Sequence, residues 1–315
     1  MKAWHFERYG APDVMVLVDR PMPDPGPGEV LVQVLASGIN PSDVKNVSGH
    51  FKSPLPRVPG RDFAGVVIAG AGREGEEVWG SAPGAGVVRD GTHAEYLVLP
   101  SAWVGRKPVS LDMAQAAAIG VPYLAAWSAL VTAGGIQAGE TALITGVAGA
   151  VGRAATQIAH WRKARVIGAG TTLDNPAGAD AVIDTTTQDL PRTVRELTGG
   201  RGADLALDVV GGALFEPVSQ SLRHGGRQIA IASHPQVVSF NLVDFYHGLK
   251  QLVGVDTMSL TGEEIAATLT GLVPGFEQGA LTPPTVQTWP FAEAVSAYEA
   301  VAKGSGRAKQ VLVMT

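Results

Sequence analysis

The apolar run Ala142–Thr145 passes directly into Gly146-Val147-Ala148-Gly149-Ala150-Val151-Gly152 and then into a helix-compatible stretch, Ala150–Arg162. A strand that ends in a tight glycine turn and feeds a helix fits this order. Gly149 at the turn lets the backbone approach a pyrophosphate with no Cβ in the way, and Gly152 lets the helix pack closely on the strand. Exposed N–H groups at the helix start, together with its dipole, favour negative charge there. The spacing is GxxGxxG rather than GxGxxG, which on its own also describes a ligand-free turn. Further strand–helix units downstream of the turn favour dinucleotide binding.

Short apolar strands alternate with helices from this turn as far as about residue 256. Strands are expected at Arg165–Gly168, Ala181–Ile183, Leu205–Asp208, Gln228–Ile231 and Leu252–Val255. Helices are expected at Leu190–Thr198, Gly212–Leu222 and Val243–Leu249. Strands apolar on both faces, separated by helices, predict an α/β, Rossmann-type doubly wound parallel sheet. The first third is different, with β-rich segments Glu29–Ala36, Phe63–Ala69 and His93–Leu99 separated by Pro and Gly clusters. Near residue 110 helices begin: Ser110 is expected to cap Leu111–Ile119, and Pro122 to open a second reaching Thr132. The tail reads as helix Gly262–Gln278, strand Thr285–Trp289, helix Phe291–Lys303 and strand Gln310–Met314. A terminal strand needs a partner, and the N-terminal β-rich region offers one. One domain is therefore expected to use both chain ends, residues 1–117 and 259–315, with the nucleotide domain at 118–258.

Composition removes several functions. Across 315 residues there is no cysteine, which excludes disulfides, Cys-based zinc sites and thiol nucleophiles. The seven histidines show no paired ligand spacing, so no metal site is expected. Formal net charge is −5 with scattered Lys and Arg, which gives no footprint for nucleic acid. No segment is long and apolar enough to span a bilayer, and Met1–Arg8 lacks a signal-peptide core. The expectation is a cytoplasmic enzyme with no membrane partner.

An NAD site usually places a carboxylate at the tip of the second strand, about 20 residues past the glycines. Here the tip reads Val166-Ile167-Gly168-Ala169-Gly170-Thr171-Thr172. Without a carboxylate nothing repels a 2′-phosphate, and Thr171 and Thr172 are expected to donate to it. Asp174 precedes Asn175-Pro176 and also reads as a turn residue. No Lys or Arg follows the strand, so Arg307 and Lys309 are candidates to supply the charge from the tail. NADPH is favoured over NADH.

The whole chain resembles the quinone oxidoreductase (zeta-crystallin-like) branch of the zinc-free medium-chain dehydrogenases/reductases. The marks are Ser37-Gly38-Ile39-Asn40-Pro41-Ser42-Asp43, Pro59-Gly60-Arg61-Asp62-Phe63-Ala64-Gly65 and Gly91-Thr92-His93-Ala94-Glu95-Tyr96. They continue with the glycine run, Gly178-Ala179-Asp180-Ala181-Val182-Ile183-Asp184, Asp208-Val209-Val210-Gly211-Gly212 and Leu222-Arg223-His224-Gly225-Gly226-Arg227. The resemblance implies that the β-rich part is a GroES-like catalytic domain. Zinc-dependent relatives have Cys where this chain has Asn40 and His where it has Arg61, so neither zinc is expected. Hydride delivery to an electrophilic acceptor, a quinone or an enone, is then the implied reaction, with the cofactor carrying the chemistry. An enoyl-thioester reductase and a NADPH-binding crystallin-like protein without turnover are the alternatives.

By the same resemblance Asn40 lies beside the nicotinamide; a turn-forming Asn before Pro41 is the other reading. Asp43 shapes the same site or opens a helix. Lys45, where many relatives carry Tyr, is a proton donor if burial lowers its pKa, and otherwise a surface lysine. Arg61 orients an anionic or carbonyl group, or pairs with Asp62 or Asp43. Tyr123 and Leu124 lie against the nicotinamide, with Ala125 replacing a frequent Thr. Ala148, Gly149, Ala150, Val151 and Gly152 line the pyrophosphate. Thr185 stands near the 2′-phosphate, and Val210 and Ser233 end later strands on the cofactor side. Tyr246 falls in a segment that relatives use for a dimer contact, so a homodimer is expected.

Overall fold

The protein is described from a computed structural model, which covers the chain except residues 176, 233–235, 305–307 and 315. Two compact units emerge. One comprises Met1–Val121 and Met258–Thr315, the other Pro122–Thr257.

In the first unit the chain forms β1 (Lys2–Phe6), β2 (Met15–Asp19), β3 (Glu29–Gly38), α1 (Pro41–Val47), β4 (Asp62–Ala69), β5 (Glu77–Ser81), β6 (Tyr96–Pro100), β7 (Gly105–Arg106) and α2 (Met113–Ala117). Helix α3 (Gly120–Trp127) leads into the second unit. There follow β8 (Thr141–Thr145), α4 (Ala150–Trp161), β9 (Arg165–Gly170), β10 (Ala181–Asp184), α5 (Leu190–Leu197), β11 (Ala203–Asp208), α6 (Phe215–Ser221), β12 (Leu222–Ala230), α7 (Leu242–His247) and β13 (Gln251–Gly254). The chain then returns to the first unit with α8 (Gly262–Glu277), β14 (Val286–Pro290), α9 (Ala294–Ala302) and β15 (Lys309–Val313).

The second unit is a parallel sheet in the order β10-β9-β8-β11-β12-β13, reversing direction of growth at β8/β11. Strands β8 and β11 are buried along their whole length because helices cover both faces, which is why they read as unbroken apolar runs. Leu143, Ile167, Ile183, Val194 and Val218 form the core between the sheet and α5 and α6.

The first unit holds a seven-stranded sheet, ordered β14-β15-β3-β4-β5-β7 with β6 also on β3, and a two-stranded antiparallel sheet, β1-β2. Strand β3 is long enough to share one edge between two partners. Glu29–Gln33 pair with β6, and Ala36–Gly38 pair antiparallel with β15. The terminal strand thus finds the partner that its apolar sequence requires. Val30, Val32, Phe63, Val67 and Leu99 fill one core, and Phe6, Ile39, Tyr298 and Leu312 a second beneath α1 and α9.

Some boundaries differ from the sequence reading for local reasons. Asp112, not Ser110, caps α2: its carboxylate accepts from Gln115 N at 2.7 Å, while the Gln115 side chain accepts from Asp112 N. A reciprocal cap of this kind outcompetes a lone serine. Helix α3 begins two residues before Pro122 and gives way to a π-helical segment, Ser128–Ala133. Strand β12 starts at Leu222, where a helix end was expected, because α6 stops at Ser221.

Candidate active site

In the second unit the glycine turn has the geometry its sequence predicts. Gly146 sits at φ +57°, and a Cβ there would lie 2.7 Å from Val209 Cγ2. At Gly152 a Cβ would fall 2.3 Å from Gly146 O and 2.7 Å from Val147 Cα, so only glycine lets α4 approach β8 this closely. Gly149 is the N-cap of α4 and has no side chain with which to cap the helix. The first-turn amides of Ala150, Val151 and Gly152 are therefore left without an intrahelical acceptor. That arrangement fits an anionic phosphate.

A buried carboxylate steadies the neighbouring loop. Asp208, at the carboxyl end of β11, accepts from Thr145 Oγ1 at 2.9 Å, Gly211 N at 2.9 Å and Val210 N at 3.1 Å. Thr145 Oγ1 in turn accepts from Val209 N at 2.9 Å. The reading of the sequence placed Val210 here but passed over Asp208 and Thr145. Their signal was an aspartate ending an otherwise apolar strand. Val210 is exposed at the same end of the sheet.

Thr171 and Thr172 are exposed just beyond β9, and Thr172 Oγ1 accepts from Asp174 N at 3.4 Å, as in a turn. Thr185 Oγ1 donates to Gly170 O at 3.0 Å, tying the ends of β9 and β10 together. Tyr123 and Leu124 are buried on α3; burial raises the Tyr123 phenol well above its usual range, opposed by the Arg153 charge and a hydrogen bond with Gln157. Ser233 and Arg307 lie outside the described residues.

In the first unit Asn40, Asp43, Arg61 and Lys309 converge on buried Asp62. Paired with Asp43 in a capping box, Asn40 is the N-cap of α1. Its Nδ2 donates to Asp62 Oδ2 at 2.8 Å, and its Oδ1 accepts from the Lys309 ammonium. The cap is made in reverse: Asn40 N donates to Asp43 Oδ2 at 2.7 Å. Asp62 also accepts from Val121 N at 3.1 Å through both oxygens. Gly120 permits that approach, since a Cβ there would lie 2.1 Å from Asp62 Oδ1. Arg61 donates to Ser42 Oγ at 3.0 Å and to the Met258 thioether; its nearest carboxylate is Asp43 at 4.0 Å, not Asp62.

Burial dominates the electrostatics of this cluster. It raises the Asp43 carboxyl, against the opposing charge of Arg61 and the Asn40 amide. It lowers the Lys309 ammonium, against the pull of Asp62 and Asp43 and with the push of Arg61. His93 adjoins the same cluster. Its Nδ1 lies 2.9 Å from Ser37 Oγ, which also contacts Thr92 Oγ1 at 2.8 Å and donates to Asp62 O at 2.9 Å. Its ring meets Tyr298 edge to face, and Nε2 is buried with no hydrogen-bond partner among the described residues. Burial, aided by the Lys309 charge, brings the imidazole down to about 3.

Two expectations are corrected. Lys309 does not offer its charge to a ribose phosphate: it starts β15, is 8% exposed, and its ammonium is engaged by Asn40. Lys45 is exposed on α1, whose inward side carries Asp43 and Asn46, so it lacks the burial its proton-donor role required. The buried ammonium beside Asn40 comes instead from the last strand.

Residues 26–109 match the alcohol dehydrogenase GroES-like domain family, and residues 177–312 the zinc-binding dehydrogenase family. Human quinone oxidoreductase is 30% identical over 100% of this chain and 98% of its own length. This chain belongs to the quinone oxidoreductase branch of the medium-chain dehydrogenases/reductases. A crystal structure titled NAD-dependent alcohol dehydrogenase is 31% identical, covers both chains fully and superposes with a TM-score of 0.90. A mycobacterial protein solved in complex with NADPH is 27% identical over 99% of both chains, with a TM-score of 0.85. As a member of this branch the chain is an oxidoreductase, and its seven- and six-stranded sheets are the GroES-like and Rossmann-type parts of that fold. Among the described residues no helix is long and apolar enough to cross a membrane.

Proposed function

We propose that the protein is an NADPH-dependent, zinc-independent reductase of quinones or of conjugated enones. The observation that carries the nucleotide part is the uncapped first turn of α4, with glycine enforced at 152 by backbone atoms 2.3 Å away. The amides of Ala150, Val151 and Gly152 hold the pyrophosphate. Exposed Thr171 and Thr172, with no carboxylate on β9's last residues, favour the 2′-phosphorylated form. The mycobacterial relative bound to NADPH points the same way.

The donor set argues against zinc. Where zinc-dependent relatives have Cys and His, this chain has an amide and a guanidinium, with a buried ammonium on the amide oxygen. At the two positions that carry Cys and His in those relatives, a dication meets an amide and a guanidinium in place of a thiolate and an imidazole. Among the described residues no group of three or more His, Asp or Glu could hold a metal.

NADPH, when bound, supplies the hydride. Asn40 presents an amide N–H, beyond the one used by Asp62, as donor to the acceptor's carbonyl oxygen, where negative charge develops on reduction. Lys309 holds that amide by its oxygen, and Arg61 supplies positive potential nearby. Enones and quinones need no Lewis acid to accept hydride, in keeping with this arrangement.

One preparation tests the reading. Incubated with a panel of quinones and enones, it is expected to oxidise NADPH faster than NADH, to bind NADPH more tightly, and to contain no stoichiometric zinc. NADPH binding without oxidation across the panel would establish the non-catalytic alternative instead.

We further propose a homodimer built on β13. This strand is the sheet's edge, and Leu242, Val243, Tyr246, Leu249 and Leu252 expose apolar side chains on α7, just after it and on the strand itself.

A further inference from the structure

We propose that Lys309 is a positioning residue for the reductase reaction: its ammonium holds the Asn40 amide in the single orientation that keeps an N–H available to the substrate oxygen. The proposal rests on the reductase reading above and assigns the device that fixes its key donor.

A carboxamide has nearly the same shape when rotated by 180° about its last bond, so packing alone sets its orientation poorly. Chemistry sets it here. On one side of Asn40 stands Lys309, which has donors and no acceptor; on the other stands Asp62, which as a carboxylate has acceptors and no donor. The observed amide gives its oxygen to the ammonium and its NH2 to the carboxylate. A flipped amide would set NH2 against ammonium and oxygen against carboxylate, two repulsions in a buried site.

The fold commits three distant segments to this arrangement. Lys309 begins β15, which is held to β3 by the pairs Val311–Gly38 and Leu312–Ser37. Gly38 is required by the backbone, since a Cβ there would lie 2.3 Å from Ala117 O, and the Lys309 stem passes alongside it. Asp62 is anchored independently by Val121 N, so it does not depend on Asn40 for its place. Charge is balanced within the cluster: Asp43 and Asp62 oppose Arg61 and Lys309, all four buried. Removing the lysine therefore frees the amide to turn its N–H away from the substrate oxygen.

The titratable and charged groups facing Lys309 are Asp62 on β4, Asp43 on α1, Arg61 before β4, and His93, whose charge is suppressed by burial. Burial favours early loss of the lysine proton, so the alkaline side of the pH–rate profile reports on it. Loss of the charge is expected to lower the rate.

The test is a double-mutant cycle with Asn40→Ala, Lys309→Met and both together, plus Lys309→Arg. Steady-state kinetics use NADPH and the best quinone of the panel. Lys309→Met is expected to lower kcat about tenfold or more while the KM for NADPH changes less than about twofold. The double variant should be no worse than Asn40→Ala within about twofold, because the lysine acts through the amide. Lys309→Arg should recover most of kcat and move the alkaline fall in rate to higher pH. Losses that multiply in the double variant, or wild-type kcat in Lys309→Met, would overturn the assignment. If Lys309→Met does not fold, Lys309→Gln replaces it in the same cycle. Thermal unfolding of the ligand-free variants separates the two proposals. Tm losses smaller together than in sum support the Lys309–Asn40 coupling even if no acceptor turns over, whereas additive losses reject it whatever the activity.

Discussion

At the scale of single residues, burial rather than charge pairing decides the behaviour of the first unit's polar cluster. His93 illustrates this. In the folded protein it stays neutral down to about pH 3, whereas in the unfolded chain it titrates near its ordinary 6.5. Between those values the unfolded state binds the extra proton, so stability is fully present above about pH 6.5 and falls as pH drops towards 3. The loss is on the order of a few kcal/mol. His93→Asn, which keeps a polar atom for Ser37 and cannot titrate, is expected to flatten that acid limb in urea melts between pH 7 and 4. Parallel stability curves for the two proteins would show that the histidine is not the titrating group. The same scale shows what a sequence conceals. Asn40, Asp43 and Arg61 were legible from motif resemblance, but Lys309 is 269 residues from its partner Asn40 and no local spacing links them. Lys45 misled for the opposite reason: it is near Asn40 in sequence, and helix α1 turns it outward.

At the scale of elements, strands and helices of the nucleotide unit were readable because parallel strands buried on both faces carry continuous apolar runs. Ends were less readable where two caps compete, as at Ser110 and Asp112, or where one element begins as another stops, as at Leu222. The β8–α4 turn allows a sharp separation of fold from function. Gly149→Asp introduces a Cβ 3.1 Å from Gly146 O at φ −75°, a backbone shape open to any residue. It is expected to shift Tm by less than about 5 °C while abolishing NADPH binding, because its carboxylate opposes the pyrophosphate. Gly152→Ala places its methyl against two backbone atoms and is expected to cost about 1–3 kcal/mol of stability. Fluorescence titration with NADPH beside thermal melts measures both. Retained NADPH affinity in Gly149→Asp would mean that the turn binds no phosphate.

At the scale of the whole molecule, an edge strand with exposed apolar neighbours is an association surface unless it is covered. Light scattering is expected to give a dimer for the wild type, and a monomer for Leu252→Lys combined with Leu249→Lys. A monomeric wild type, or a double variant that remains dimeric, would remove β13 as the interface.

The pairing of β15 with β3 also bears on the order in which the protein is made. During synthesis the half of β3 at Ala36–Gly38 waits for a partner, Val311–Val313, that is made more than 270 residues later. At ribosomal speeds of roughly 5–20 residues per second that interval lasts on the order of tens of seconds. The contiguous segment Pro122–Thr257 emerges complete before it closes. Throughout that time the nascent chain carries an open sheet edge, and Asp62 and Asn40 lack their lysine. The oxidoreductase is therefore assembled around a nucleotide-binding unit that is free to fold first.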